Sequence, residues 1–243
     1  MDAMVLILEA NALTKSYGDT HALAGVDLTI QAGEAVAIMG ASGSGKTTLL
    51  HVLAGILAPD GGSVTLHATQ PPLVISELGD AARSQLRREA FGFVFQQGLL
   101  IPELTAVENV ALPLMLNGVP RAEAEQRAAA WLGALGLGGM EQRRIGQLSG
   151  GQAQRVAVAR AQVIEPAVVF ADEPTGALDS ATSSDVMDAL LGTTSARGRT
   201  LVVVTHDEGI AARCGRIVRL RDGRVVETRS KVADMEYIEG ETR

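Results

Sequence analysis

Residues 40 to 48 read GASGSGKTT, three glycines within six positions followed by a lysine and two threonines. The run is flanked by Glu34 to Met39, a short apolar, β-prone stretch, and by Lys46 to Leu57, which reads as a helix. A strand that breaks into a glycine-rich turn and resumes as a helix gathers backbone N–H groups at the positive end of the helix, and that concavity binds anions. Side chains larger than hydrogen at the glycines would obstruct phosphate. Gly40, Ala41, Ser42, Gly43, Ser44 and Gly45 are therefore expected to form the cradle, and Lys46 to reach the β- and γ-phosphates. The Thr47 hydroxyl is expected to ligate Mg²⁺ and Thr48 to assist at the α-phosphate. This Walker A pattern points to strand, loop and helix in α/β layers and to a nucleoside triphosphate with Mg²⁺ as its ligands.

Residues 168 to 173, VVFADE, form a second piece of the same chemistry. A fully apolar strand delivers two carboxylates at its C-terminal end, where α/β sheets bind ligands. Asp172 is placed to hold the Mg²⁺ shell. Glu173, one residue on and facing the other way, is the natural group to orient and deprotonate an attacking water.

The rest of the chain reads as alternating elements. Val5 to Leu13 and Ala22 to Ile30 alternate apolar and polar residues around Gly18-Asp19, a signature of antiparallel strands. The turn at Pro59 to Gly62 precedes a strand at Ser63 to His67, and residues 68 to 80 read as irregular loop. Ala81 to Glu89 reads as a helix and Phe91 to Phe95 as a strand. Helices are expected at Ala106 to Asn117, Ala122 to Leu135 and Gly151 to Ile164, the last ended by Pro166. The strand at Ala167 to Ala171, the helix at Ala181 to Leu191, the strand at Thr200 to Val204 and a strand pair around Asp222-Gly223 complete the order. One domain is expected over residues 1–230, with a helical subdomain at about 98–160 inserted in the α/β core and a frayed acidic tail at 231–243.

Composition removes other classes. The chain of 243 residues has a net charge of −7 and 3% aromatic residues, with no Lys/Arg-rich block, which argues against nucleic acid as a partner. Its one cysteine, Cys214, fits a reducing cytoplasm and reads as a core side chain. No uncharged apolar run reaches the roughly eighteen residues a membrane span requires. Any membrane part of the system therefore belongs to another chain.

GASGSGKTT, Gln96, LSGGQ at 148–152, ADEPTGALDS at 171–180 and His206 stand in the order and spacing of the ATP-binding subunits of ABC transporters, and the resemblance spans nearly the whole chain. GFVFQQGLLIPELTAVENVALPL and ADEPTGALDS resemble the branch that contains the lipoprotein-release, macrolide-export and antimicrobial-peptide-export ATPases, with a cell-division relative. The resemblance implies a P-loop NTPase core with a mostly parallel sheet, an N-terminal antiparallel β subdomain and an inserted α-helical subdomain. It also implies roles. Tyr17 stacks on adenine. Gln96 touches Mg²⁺ or the lytic water and senses a permease. Ser149, Gly150, Gly151 and Gln152 complete the γ-phosphate site of a partner protomer, and Asp179 makes a contact across the dimer. His206 contacts the γ-phosphate and links Glu173 to the water. Ala153 and Ala177 depart from the polar residues that relatives often carry there, although no reacting group is lost.

The resemblance further implies a homodimer, or a heterodimer with a similar ATPase, that binds ATP head to tail. An integral-membrane permease would dock beside Gln96 and residues 99–117, where Leu99, Leu100, Ile101 and Leu104 crowd. The chain would then lie in the cytoplasm, peripheral to the inner face of the cell membrane, as part of an export or extraction system. The competing reading is a regulatory or structural ABC ATPase that signals through a membrane partner without transport. Soluble repair and translation types are disfavoured, because the chain has neither a long coiled coil nor a second cassette. A phosphotransferase on the same loop would leave LSGGQ and His206 unexplained. The cargo and the identity of the permease are not written in the sequence.

Overall fold

The computed structural model describes residues 5–231, so the expected tail at 231–243 falls, except for Lys231, outside the described residues. The chain divides into two compact units, one built from the residues up to Gly79 and from Val202 onward, the other from Asp80–Leu201.

In the first unit β1 (Leu6–Tyr17) and β2 (Thr20–Gln31) form an antiparallel hairpin in which Tyr17 faces Thr20 across the turn at Gly18-Asp19. Val26, Leu28 and Ile30 are buried while Asp27 and Thr29 between them are exposed, the period of two that the sequence shows. Both strands run longer than their apolar stretches. The extension is held by Asp60, whose carboxylate accepts from the Ser16 N–H at 2.7 Å and from Lys15 Nζ at 2.7 Å. The sheet order is β2-β1-β4-β5, with β4 at Gly61–Leu66 and β5 at Leu73–Val74. Residues 68–80, expected as loop, thus contain a two-residue strand and a single 3₁₀ turn at Ile75–Glu77, anchored by the buried Ile75. Neither is long enough to show a period.

β3 (Ala35–Met39) is buried at all five positions and pairs in parallel with β9 (Arg216–Arg221). β9 turns through Asp222-Gly223 into the antiparallel β10 (Arg224–Ser230). Both turn residues have positive φ, 49° and 69°, the conformation of a two-residue hairpin that follows strand twist. Between β3 and β9 in sequence come α1 (Lys46–Leu53) and, at the boundary of the units, β8 (Thr200–Val204). α1 stops short of the expected Leu57 because Gly55, at φ 63°, adopts the left-handed conformation that ends helices. A short helix, α7 (Glu208–Ala211), was not foreseen; Asp207 caps it by accepting from Ile210 N–H at 3.0 Å. Cys214 lies in the core, where burial pushes its thiol up to about 11.

The second unit contains α2 (Asp80–Ala90), β6 (Phe91–Phe95), α3 (Ala106–Leu116), α4 (Arg121–Ala134), α5 (Gly150–Gln162), β7 (Val168–Asp172) and α6 (Ser180–Thr193). β6 and β7 run parallel, in register from Phe91 opposite Val168 to Phe95 opposite Asp172. Phe170 meets Phe91 edge-on at 5.2 Å and stacks on Phe93 at 5.8 Å, which gives this pair of strands an aromatic core. Thr105 and Glu108 close a capping box at the start of α3, the sequence signature of a helix start. Along α5, Val156 to Ala159 are fully buried. No helix among the described residues is long and apolar enough to cross a membrane.

Candidate nucleotide site

The phosphate loop of the first unit is shaped by its neighbours as much as by its own glycines. A Cβ on Gly40 would run into the carbonyl oxygen of Leu220 on β9, and one on Gly45 into that of Ala22 on β2. The two glycines therefore let the loop lie against protein backbone. The tip of the β9–β10 hairpin adds a brace. Gly223 N–H donates to the Ser44 carbonyl at 3.1 Å, and the Gly223 carbonyl accepts from Ala24 N–H at 2.9 Å.

Lys46 is buried, and its Nζ donates to the carbonyls of Gly40 and Ala41, each at 2.9 Å. The charge is held over the hollow by the loop's own backbone. Gly45, the residue that precedes α1, is left-handed and offers no side-chain cap to the start of the helix. The buried Ser44 Oγ has no hydrogen-bond partner among the described residues, and Thr47 is exposed. An uncapped helix start, a poised ammonium and an orphaned buried hydroxyl fit a triphosphate. In the same unit Thr205 N–H donates to the Ile38 carbonyl at 3.2 Å, which places His206, exposed just beyond β8, beside the end of the strand that feeds the loop. Tyr17 stands about half exposed at the β1–β2 turn.

The second unit brings Gln96, Asp172 and Glu173 to one edge. Phe95 and Asp172 are the last partners of the parallel β6–β7 pair, so Gln96 and Glu173 both emerge where that ladder ends. Glu173 has φ 46°, a left-handed backbone that costs a non-glycine residue roughly 1–3 kcal/mol and concentrates at functional positions. The Glu173 carbonyl is fixed by Gly176 N–H at 3.1 Å. The Gln96 side chain lies against that loop: its Nε2 would be 3.0 Å from a Cβ on Gly176.

The signature segment lies against the start of α6 in this unit. Ser149 caps α5, its Oγ accepting from Gln152 N–H at 3.3 Å while Gln152 Oε1 accepts from Ser149 N–H at 2.9 Å. A Cβ on Gly150 would touch Leu178, and one on Gly151 would collide with the Thr182 methyl. Asp179 caps α6: Thr182 donates to it through its N–H at 3.0 Å and its hydroxyl at 2.7 Å. Those two bonds hold the Asp179 carboxyl below the usual carboxylate range. Two residues that the sequence reading passed over complete the region. Gln154, a polar residue in an Ala/Val-rich helical run, and Arg160 both reach from α5 to the segment around Gln96.

The strand-fed phosphate loop of one unit, and in the other a carboxylate strand with a glutamine at the end of its parallel neighbour, are the parts of a P-loop ATPase of the α/β class. Residues 23–176 match the ABC transporter family, and the chain belongs to it as an ATP-hydrolysing, nucleotide-binding cassette. The lipoprotein-releasing system ATP-binding protein LolD of Geobacter metallireducens is 46% identical over 227 residues, covering 92% of this chain and 99% of the relative. The macrolide export ATP-binding/permease protein MacB of Hyphomonas neptunium is 44% identical over 90% of this chain, which spans only 34% of that longer protein. The dimeric ATP-binding cassette MJ0796, solved in a post-hydrolysis state with ADP and phosphate, superposes with a TM-score of 0.83 at 40% identity, covering 92% of this chain and 98% of its own. These likenesses bear out the branch, the fold class and the ATPase activity expected from the sequence.

Proposed function

We propose that this chain is the motor subunit of an export or extraction complex, in which two cassettes close on ATP and reopen after hydrolysis while a separate membrane permease handles the cargo. The relatives named for lipoprotein release and macrolide export support that direction. The observation that carries the hydrolytic reading is the edge formed by Gln96 and Glu173 at the end of the β6–β7 ladder, with Glu173 in its left-handed backbone.

In this reading Lys46 and the N–H groups at the start of α1 bind the phosphates, and Tyr17 stacks on the base. Mg²⁺, held by Thr47, Asp172 and Gln96, supplies neutralisation of charge on the β- and γ-phosphate oxygens. Glu173 accepts the proton of the attacking water, and His206 and Gln96 orient that water. Ser149, Gly150, Gly151 and Gln152 of one protomer meet the nucleotide of the other, and Asp179 contacts the opposite protomer.

A face for the permease is available in the second unit. A groove of 480 Å³ is lined by Phe91, Phe93, Phe95, Leu99, Leu112 and Leu116, with Arg87 and Arg88 also in its wall. Leu99, Ile101, Met115 and Leu116 are exposed, while Leu100 and Leu104 are half-buried. Asn109 shapes this strip by bonding both polar groups of the Ile101 backbone, at 2.8 and 3.0 Å. An exposed apolar strip of this kind suits a partner surface.

The test is Glu173→Gln, which keeps shape and loses the base. ATP binding should persist, turnover should fall by about 10²–10⁴-fold, and size exclusion with Mg-ATP should show a trapped dimer. A variant that hydrolyses normally and stays monomeric would remove Glu173 from the chemistry. For the partner, Leu99→Glu with Leu116→Glu should release the chain from membranes with ATP turnover nearly intact. Retained membrane association would move the docking face elsewhere.

A further inference from the structure

Gln154 lies on α5 just after the LSGGQ segment, only 4% exposed, and is absent from the roles assigned above. Its amide nitrogen spends both N–H groups on two main-chain carbonyls, Phe95 at 2.9 Å and Pro174 at 2.7 Å. Phe95 is the residue before Gln96, and Pro174 the residue after Glu173. The β6–β7 ladder ends at Phe95 and Asp172, so beyond it the two chains have no strand pairing to fix their separation. One side chain spans that gap. Farther along the same helix, Arg160 donates to the carbonyls of Gly98 at 2.6 Å and Leu99 at 2.7 Å, so α5 grips the Gln96-Gln97 segment on both sides.

From this juxtaposition we infer that Gln154 is a positioning residue for hydrolysis, tying the helix that starts with the signature serine to the backbones that aim Gln96 and Glu173. The inference rests on the hydrolytic reading of Glu173. A shift of α5 when Ser149 engages a partner's nucleotide is passed through two hydrogen bonds to the carboxylate that takes the proton. Loss of those bonds removes a donor from the buried Pro174 carbonyl, leaves the Phe95 carbonyl with only the Gly98 N–H at 2.8 Å, and lets the left-handed Glu173 turn relax. Misplacement on the scale of an ångström lowers turnover by about 10²-fold without touching the phosphate-binding loop.

The experiment compares wild type, Gln154→Met and Gln154→Glu in the full-length chain. Gln154→Met keeps length and removes both donors. Its affinity for a fluorescent ATP analogue and its KM should stay within about threefold of wild type, while kcat falls by about tenfold or more, the loss expected for two hydrogen bonds. Gln154→Glu should be poor near pH 8, where a carboxylate faces two carbonyls. Its kcat relative to wild type should recover toward about pH 6, as protonation restores one O–H donor. A flat ratio across that range, an undiminished kcat in Gln154→Met, or equal losses in affinity and kcat would each overturn the positioning role. A wild-type chain that binds ATP without hydrolysing it would sink the hydrolytic reading itself, and this inference with it. Normal wild-type turnover beside normal Gln154→Met turnover would sink this inference alone.

Discussion

At the start of α1 the capping position is Gly45, left-handed and without a side chain to accept a bond; at the start of α5 it is Ser149, which shares a complete capping box with Gln152. Both are glycine-rich helix N-termini, and the sequence reading treats both as phosphate cradles. The structure separates them. The first has no side-chain cap and holds Lys46 over the hollow. The second satisfies its own serine and glutamine, so an anion arriving there competes with bonds already made. In the proposed cycle this difference would rank the two, the α1 loop taking nucleotide by itself and the signature loop joining when a second protomer presents one.

The largest expected effect breaks the comparison at its strong end. Lys46→Ala should lower affinity for nucleotide by about tenfold to a hundredfold, since charge-assisted bonds to phosphate are lost, and a fluorescent-nucleotide titration with unchanged affinity would show that the open helix start suffices alone. Gly151→Ala comes next. The added methyl collides with Thr182, overpacking that costs roughly 1–3 kcal/mol, so ATP-dependent dimerisation should fail in analytical ultracentrifugation while the single protomer binds ATP as before.

Ser149→Ala should be milder for the fold, about 1 kcal/mol for a lost cap and a Tm lower by about 2–4 °C. Loss of nucleotide affinity in the single protomer, as for Lys46→Ala, would erase the distinction between the loops. The smallest effect is one of pH. The Asp179 carboxyl is held low by Thr182, so its bonds persist above the ordinary carboxylate value near 3.8 and weaken only as pH falls through its lower folded value. Dimerisation measured between about pH 5 and 8 should therefore show no step from Asp179.

Much of this was legible because the informative signals are local. GASGSGKTT and the VVFADE strand each carry their chemistry within a few residues; the strand appears one residue from its expected place, and α1 starts where expected although it ends four residues early. The reasons behind the glycines were not legible. Gly40 and Gly45 answer to Leu220 and Ala22, partners that no pattern within the loop reveals. Gln154 and Arg160 were hidden differently, as polar residues in a helical run whose Ala/Val periodicity was read only as core. The strand at Leu73–Val74 and the helix at Glu208–Ala211 are too short for periodicity to register.

The brace from Gly223 to Ser44 has a consequence for the order in which the molecule is made. The loop at 40–48 leaves the ribosome early, yet the hairpin tip that supports it comes about 180 residues later, on the order of ten to forty seconds at usual elongation rates. During that interval the nascent chain has the lysine, the glycines and the first turn of α1 but not the backbone against which they are shaped. Competence to hold ATP is therefore acquired only once β9 and β10 have been made, and a nascent chain halted before β9 carries the motif without its receptor.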